Sequence, residues 1–300
     1  MSSKFHRRDF LKLAGALPLG YAASHMTQSL GLPPLLQGGQ KNVLVIVFDA
    51  FSAYNIPLYG YGRETTPNLA RLAEHAIVYH NHFSASNFTT SGTASLLTGV
   101  LPWTHRALQG GAEVSQDFVT RNLFSAFQGY HRITYTHNGW ANILLEQFQA
   151  DLEELVPWKS LFLRSYDGFI HSLFHNDDDA ASVAWTRNMN VSQEGYSYSL
   201  FFSHLYGVLQ KNRYASLKES FPRGLPSTGD IGSEFILESA IDWTGNRLPR
   251  IPQPFLGYFH FLPPHGPYNT PIDYIGHFEN DGLNPLDKPQ DAFTARVPYN

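Results

Sequence analysis

The stretch NVLVIVFD, residues 42–49, is the clearest indication of the fold of this 300-residue chain. A continuous run of β-branched and other apolar residues is typical of a strand buried on both faces of a parallel sheet. The run ends at Asp49, and open α/β sheets bind their ligands at the carboxyl ends of such strands. The stretch therefore predicts a central strand with a carboxylate at the functional edge.

Helix and strand patterns alternate after this run. TTPNLARLAEHA, residues 65–76, predicts a helix with Thr66 as N-cap and Pro67 at the first helical position. Its apolar residues recur at the spacing of a helix that covers a sheet: Leu69, Leu72, Ala73 and Ala76. A short strand is predicted over residues 77–79.

The alternation continues to residue 261. NLFSAFQGY (122–130) predicts a helix stopped by Gly129, and RITYT (132–136) predicts the next strand. SEFILESAIDWTGN (233–246) and PFLGYFHF (254–261) predict a later helix and strand. This order predicts an α/β fold with a doubly wound, mostly parallel sheet and helices on both faces.

One domain is expected over residues 41–300. Residues 149–228 lack the alternation, and we interpret them as an insertion or cap over the site. The acidic run at residues 177–179 lacks the spacing and the glycine of an EF-hand, so it is interpreted as a solvated loop.

Composition narrows the possible functions. The net charge is -4 and the sequence pI is about 6.4, so no basic field indicates a nucleic acid partner. The chain contains no cysteine, which excludes disulfides, thiolate metal ligands and thiol nucleophiles.

The first residues indicate the compartment. Arg7 and Arg8 precede Asp9 and then Phe-Leu-Lys, ahead of a short apolar stretch. This resembles a twin-arginine export signal, expected over residues 1–24 and followed by a linker over 25–40. The alternatives are a membrane anchor or a plain amphipathic helix, although the apolar stretch is short for a bilayer span. Export and contact with the twin-arginine machinery are the expectation.

Several polar segments follow predicted strands or begin a helix. Asp49 could hold a hard divalent metal ion, or it could simply cap the following turn. The hydroxyl-rich residues 89–93 could bind an anion at a helix start, and a threonine there could attack. The alternative is an ordinary helix start capped by a hydroxyl.

Two histidine-containing segments are also candidates. His260 and His265 flank a Pro-Pro pair after the last strand, where they could bind metal or donate a proton. His137 and Asn138 follow the strand at 132–136 and could contact an anionic substrate. Structural roles are the alternative for all four residues.

The order of these motifs carries more information than any single one. Asp49, YGYGRETTPNLARLA (59–73), ASLLTG (94–99) and PHGPY (264–268) together resemble the sulfatase-like branch of the alkaline phosphatase superfamily. The resemblance implies that Asp49 holds a divalent metal ion, whether Ca, Mg, Mn or Zn. The nucleophile of that family lies five positions before ASLLTG, which places it at Thr89. Thr89 would therefore attack and contact the metal.

The chain departs from the family pattern at several points. Thr89 replaces the cysteine or serine that becomes formylglycine, so no formylglycine is expected. Ala50 stands where sulfatases carry a second aspartate, and Thr93 stands in place of an arginine. The later Asp-His-Gly or Asp-Asn-Gly motif is absent from the 300 residues, so the C-terminal part of the domain is expected to be missing.

The resemblance implies an enzyme that acts on phosphate or sulfate esters through Thr89. Phosphoethanolamine and phosphoglycerol transferases are similar in using an unmodified threonine. His265 would be a catalytic residue, while His137, Asn138 and His260 would bind a small-molecule, lipid or sugar ester. The alternatives are an inactive anion-binding protein on the same scaffold, a conventional sulfuric ester hydrolase, or a structural envelope protein.

Overall fold

The computed structural model describes residues 41–163, 215–229 and 233–283. Its centre is a four-stranded sheet with the strand order β1-β4-β2-β3. All three pairings are parallel. The strands are β1 (Val43–Phe48), β2 (His131–Thr136), β3 (Glu154–Leu155) and β4 (Phe255–Phe261). The predicted strands at 43–48, 132–136 and 254–261 are thus confirmed.

Seven α-helices that have both ends in the described ranges join these strands. They are α1 (Pro67–Ala73), α2 (Thr89–Thr98), α3 (Pro102–His105), α4 (Gln116–Val119), α5 (Leu123–Ala126), α6 (Gly139–Gln147) and α7 (Leu237–Arg247). Helix α5 is shorter than predicted, and it is followed by Gly129 in a left-handed conformation. Helix α7 begins four residues later than predicted, because Ser233 and its neighbours are extended.

The direction of winding places helices on both faces of the sheet. The chain passes from β1 to β2 and on to β3 in one direction, and then returns to β4 in the opposite direction. Parallel crossovers are right-handed, so a reversal of direction moves the connecting helix to the other face. Helices α2, α5 and α6 pack on one face and α7 packs on the other, which confirms the predicted fold class.

Strand β4 links the two cores. Leu256 and Tyr258 are fully buried against α2 and α6, while Phe255 and Phe259 are buried against α7. Gly257 has no room for a side chain, because a Cβ would lie 2.9 Å from Phe259 and 3.0 Å from Leu44. The alternation places Tyr258 and His260 on the same face, toward α2.

The prediction that β1 is buried on both faces is wrong for the described residues. Val43, Val45 and Val47 pack into the α2 core, but side chains of the opposite face are exposed by 44% at Leu44, 49% at Ile46 and 38% at Phe48. The physical reason is that α7 covers β2 and β4, whereas no described helix covers this face of β1. The apolar run correctly predicted a strand but not its surroundings.

Two predictions for residues 65–79 also fail. Helix α1 begins at Pro67 as expected, yet it buries none of its residues, and Leu72 is 61% exposed. Residues 77–79 form no strand. Apolar spacing therefore located the helix, while its expected packing on the sheet is not found among the described residues.

The segment interpreted as an insertion contributes one strand to the sheet. Strand β3 lies within it and pairs with β2 through Ile133 and Thr134. The predicted signal, the linker and the acidic run at residues 177–179 lie outside the described residues. Within the described ranges, no helix has the length and apolarity that crossing a membrane requires.

Candidate functional site

The site begins with Asp49 at the carboxyl end of β1. Its backbone N–H donates to Phe261 O at 2.9 Å, and His137 N donates to His260 O at 3.0 Å. These bonds continue the parallel ladders past the strand ends, so the ends of β1, β2 and β4 lie side by side. Three sequence-distant segments therefore present their side chains at one edge, as predicted.

Thr89 reaches this edge as the first residue of α2. Phe88 is the N-cap in an extended conformation and its side chain makes no capping hydrogen bond. The Thr89 hydroxyl donates to Asp49 Oδ2 at 3.4 Å. The N-terminus of a helix carries unpaired backbone N–H groups and a partial positive charge, both of which favour an anion. The hydroxyl thus lies between a carboxylate and an anion-attracting helix end.

Asn138 connects Asp49 to a second helix start. Its Oδ1 accepts hydrogen bonds from Trp140 N at 2.9 Å and Ala141 N at 3.3 Å, and so caps α6. Its Nδ2 donates to Asp49 Oδ2 at 2.6 Å and to Thr89 Oγ1 at 3.4 Å. Because the cap fixes the amide orientation, Asn138 presents donors, rather than its carbonyl oxygen, to the site.

His260 approaches the same carboxylate oxygen from β4. Its Nε2 lies 3.5 Å from Asp49 Oδ2, which is too long for a well-formed hydrogen bond. The His260 side chain is 2% exposed and that of Asp49 is 12% exposed. Asp49, Thr89, Asn138 and His260, all four expected from the sequence to act in the site, are brought together.

The surroundings keep Asp49 ionised. Burial by itself raises the pKa of this carboxyl group, but the contact with His260, the hydrogen bond from Asn138 and the charge of His265 lower it. The lowering contributions outweigh the burial, so the pKa of Asp49 lies below its ordinary value. A carboxylate surrounded by donors is suited to holding a positive charge.

Ala50, where sulfatases have a second aspartate, adopts a left-handed conformation with φ 55°. Residues with a Cβ are uncommon in this region, and aspartate and asparagine enter it more readily than alanine. The backbone at this position is therefore compatible with the aspartate of the family pattern. The turn at Ala50 has this left-handed backbone conformation but lacks the second carboxylate.

His137 does not share the pocket of Asp49 and Thr89. Its ring is fully buried and stacks on Phe235 with centroids 4.2 Å apart, and it also contacts Phe162 and Tyr135. Neither ring nitrogen has a hydrogen-bond partner among the described residues. The expectation that His137 contacts substrate oxygens does not fit this position, because the aromatic rings around it exclude a ligand.

His137→Phe should make the protein less sensitive to acid. Burial, with a smaller contribution from His260, lowers the pKa of His137 to about 3. The unfolded chain has an ordinary histidine pKa of about 6.5, so it binds an extra proton between about pH 6.5 and pH 3 and wild-type stability falls there. Phenylalanine cannot titrate. Urea denaturation at a series of pH values should show a flatter acid limb for the variant, and equal acid limbs would contradict this assignment.

His265 lies at the exposed rim of the site. Its Nδ1 donates to Gly266 O at 2.7 Å, which leaves Nε2 as the free ring nitrogen. Its charge contributes to the lowered pKa of Asp49. His265 is exposed to solvent, and its expected catalytic role stays a prediction.

Asp49 and Thr89 can supply part of the coordination sphere of a metal ion. Asp49 Oδ2 and Thr89 Oγ1 are 3.4 Å apart, close enough to share one divalent cation at ligand distances of about 2.0–2.6 Å. Among the described residues there is no group of three or more histidine, aspartate or glutamate side chains that could hold a metal. A divalent cation held by these two oxygens would need further ligands.

Two polar contacts of this region were not predicted from the sequence. Tyr258 OH lies 3.3 Å from His260 Nδ1, a contact that the two-residue spacing along a strand could have indicated. Ser95 Oγ lies 2.9 Å from His105 Nε2, but His105 Nδ1 accepts from Ala107 N. The His105 proton is therefore on Nε2, so this buried pair cannot act as a nucleophile and its base.

A family model described as Sulfatase matches residues 41–290. The multifunctional alkaline phosphatase superfamily protein PehA of Trinickia caryophylli is 39% identical over 82 residues, which cover 26% of this chain and 16% of that protein.

Two solved structures are also similar to this chain. One is a phosphonate monoester hydrolase of Agrobacterium radiobacter, with 17% identity, a TM-score of 0.44 and coverage of 78% of this chain and 43% of that one. The other is the phosphonate monoester hydrolase SpPMH from Silicibacter pomeroyi, with 16% identity, a TM-score of 0.46 and coverage of 82% and 46%. The chain spans less than half the length of these proteins. Because the family model matches most of its residues, the chain belongs to the sulfatase family.

Proposed function

We propose that this chain carries the nucleophile of an exported, metal-dependent hydrolase or transferase acting on phosphate esters and, less readily, on sulfate esters. One observation supports this proposal above the others. The Thr89 hydroxyl, at the first residue of α2, contacts both Asp49 Oδ2 and Asn138 Nδ2 at the carboxyl edge of the sheet. An attacking oxygen, a carboxylate and an anion-attracting helix end are then in one place.

The proposed reaction is a double displacement. Thr89 Oγ1 attacks the phosphorus atom, a bond between them forms, and the bond from phosphorus to the alcohol oxygen breaks. The Thr89 hydroxyl loses its proton in this step and the departing alcohol oxygen takes one up, so the number of protons is unchanged. Water, or a second alcohol, then attacks the phosphothreonine, breaks its bond to Oγ1 and restores the hydroxyl group.

A divalent cation would be held by Asp49 and Thr89, with further ligands from polypeptide beyond the described residues. When bound, it would lower the pKa of the hydroxyl group and neutralise charge on the ester oxygens. The lowered pKa of Asp49 keeps this ligand ionised. The identity of the cation, whether Ca, Mg, Mn or Zn, is left open by a pair of oxygen ligands.

The remaining polar residues would orient the substrate. Asn138 Nδ2 donates to Asp49 and Thr89, so it holds both oxygens in position and is available to an ester oxygen. His260 lies beside the carboxylate, and exposed His265 can protonate the leaving oxygen. The α2 N-terminus would receive the negative charge of the ester.

A threonine at position 89 argues against the usual sulfatase reaction. Formylglycine forms from cysteine or serine, and the chain contains no cysteine and no serine at that position. A hydroxyl nucleophile that is not converted would form a phosphothreonine, which water or an acceptor alcohol can cleave at phosphorus. We therefore place phosphate esters ahead of sulfate esters.

This proposal is tested by assaying the full chain with the p-nitrophenyl esters of phosphate, of a phosphonate and of sulfate. Each ester is assayed with added Ca, Mg, Mn or Zn, and again after chelation of the cation. Release of nitrophenol from the phosphorus esters, dependent on one cation, is the expected result. Release from the sulfate ester alone would favour a conventional sulfuric ester hydrolase. Turnover that survives chelation would contradict the proposed metal dependence.

The inactive anion-binding protein is the second candidate. It is favoured by one observation: the described residues include no group of three acidic or histidine side chains suited to a metal. This candidate predicts that an ester or inorganic phosphate stabilises the protein against heat. It also predicts that no ester is turned over with any of the cations. Turnover that copurifies with the folded chain and is lost in Thr89→Ala would exclude it.

Export through the twin-arginine route is part of the proposal. It rests on Arg7-Arg8 followed by Asp-Phe-Leu-Lys in residues 1–24. Replacing both arginines with lysine keeps the charge but removes the paired guanidinium groups. The wild-type chain should be found outside the cytoplasmic membrane and the variant inside it; equal distribution would contradict this route.

The small-molecule, lipid or sugar group of the ester is expected to lie against the residues that follow the carboxyl ends of the strands.

A further inference from the structure

A buried tyrosine lies behind the histidine of the site. Tyr258 and His260 occupy the same face of β4, and Tyr258 OH lies 3.3 Å from His260 Nδ1. The rings meet edge to face with centroids 6.3 Å apart. Tyr258 is fully buried in the core beneath α2 and α6, and His260 is 2% exposed. Packing fixes both rings, so this contact is maintained by the core.

The chemistry of the pair determines which histidine nitrogen carries the proton. Burial raises the pKa of the Tyr258 hydroxyl, outweighing a hydrogen bond with Thr93 that lowers it, and the charge of Asp49 raises it further. The group is therefore a neutral phenol that can donate. A neutral imidazole accepts at Nδ1 only when its proton is on Nε2.

The other nitrogen faces the site. His260 Nε2 lies 3.5 Å from Asp49 Oδ2 and makes no well-formed hydrogen bond with any described residue. With its proton on Nε2, the ring directs a donor toward the carboxylate.

We propose that Tyr258 is a positioning residue that holds His260 as the Nε2–H tautomer and so directs a proton donor toward Asp49 and Thr89. The consequence for turnover rests on the proposed function, whereas the tautomer does not. Partners of this kind, which orient a functional histidine through its second nitrogen, are a general feature of histidine sites. The phenol acts through His260 and does not need to touch the substrate.

Nitrogen-15 NMR of the full chain tests the tautomer directly, because ring nitrogens that carry a proton resonate apart from those that do not. The chain has 14 histidines, so the His260 signals are assigned by their loss in His260→Gln. In the neutral imidazole of His260, Nε2 should be protonated and Nδ1 should not. A protonated Nδ1 in the wild-type chain would overturn the proposal, and this arm requires no variant of Tyr258.

Tyr258→Phe removes the hydroxyl and keeps the ring. In this variant the His260 signals should shift toward a mixture of tautomers. Tyr135→Phe is the matched control, because Tyr135 is equally buried and its hydroxyl has no partner among the described residues. An unchanged His260 tautomer in Tyr258→Phe, or an equal change in the control, would overturn the proposal.

Kinetics separate this inference from the proposed function. Loss of an orienting partner typically lowers activity about 10- to 100-fold, and here kcat should fall while KM stays unchanged. A raised KM with an unchanged kcat in Tyr258→Phe would overturn the role of Tyr258 in turnover. If no ester is turned over by the wild-type chain, the proposed function fails, while the NMR experiment still decides the tautomer.

Discussion

Thr89→Ala is expected to lower turnover of a phosphate ester by about 10³-fold or more, because it removes the attacking oxygen itself. The fold should survive. Thr89 is a half-buried first residue of α2, and alanine is a strong helix former. Steady-state kinetics and a thermal unfolding curve on the same preparation measure both effects.

The control for this variant lies at the other end of the same helix. Thr98 is the last residue of α2, and its hydroxyl donates to Ala94 O at 2.6 Å. Thr98→Ala makes the same chemical change away from the site and should leave turnover unchanged. Thr89→Ser should keep a large part of the activity, since it retains the hydroxyl group. Wild-type turnover in Thr89→Ala would exclude Thr89 as the nucleophile.

Asp49→Asn is expected to abolish cation binding and to reduce turnover about 10²-fold or more. The substitution removes the charge and keeps the shape, and its amide oxygen can still accept from Asn138 and Thr89, which both donate to Asp49 in the wild-type chain. A ligand at 100 times its Kd stabilises a protein by about 2.7 kcal/mol. Thermal unfolding with and without each cation should show such a shift in the wild-type chain and none in Asp49→Asn.

Asp117→Asn is the matched control for the charge. Asp117 is exposed in the first turn of α4, so its loss removes one carboxylate without touching the site. The cation should stabilise this variant as much as the wild-type chain. Equal stabilisation of Asp49→Asn would show that the cation binds elsewhere and that Asp49 is no ligand.

The sequence predicted the sheet well because strand signals are local. The apolar runs at 43–48 and 255–261 and the alternation with helices were sufficient for a parallel sheet with helices on both faces. The burial of β1 was predicted wrongly, because an apolar run cannot say which helix covers it. The same holds for α1, where Leu72 has helical spacing but remains 61% exposed.

Four residues of the site were predicted correctly as neighbours, because parallel strands end at one edge. Asp49, Asn138 and His260 follow or end β1, β2 and β4, and Thr89 begins α2. His137 could not be distinguished from Asn138 by position alone. One residue along the chain turns its side chain to the other face, and there His137 meets Phe235 rather than Asp49.

The long-range partners were beyond prediction from one sequence. Asn138 caps α6 and holds Asp49 at the same time, a double role that depends on two helices and a strand meeting in space. The contact of Tyr258 with His260 is local by contrast, and its two-residue spacing along β4 could have indicated it. Polar contacts across more than forty residues depend on packing that local patterns do not encode.

We propose that Thr89 forms a covalent bond to phosphorus during turnover. The most direct test of this proposal is to mix the full chain with a phosphate ester and the activating cation, quench in acid within one turnover, and map the peptides by mass spectrometry. The proposal predicts one added phosphoryl group on Thr89 of the peptide SNFTTSGTASLLTG (residues 86–99), absent from Thr89→Ala. Turnover with an unmodified Thr89, or with the phosphoryl group on Thr90 or Ser91, would contradict it.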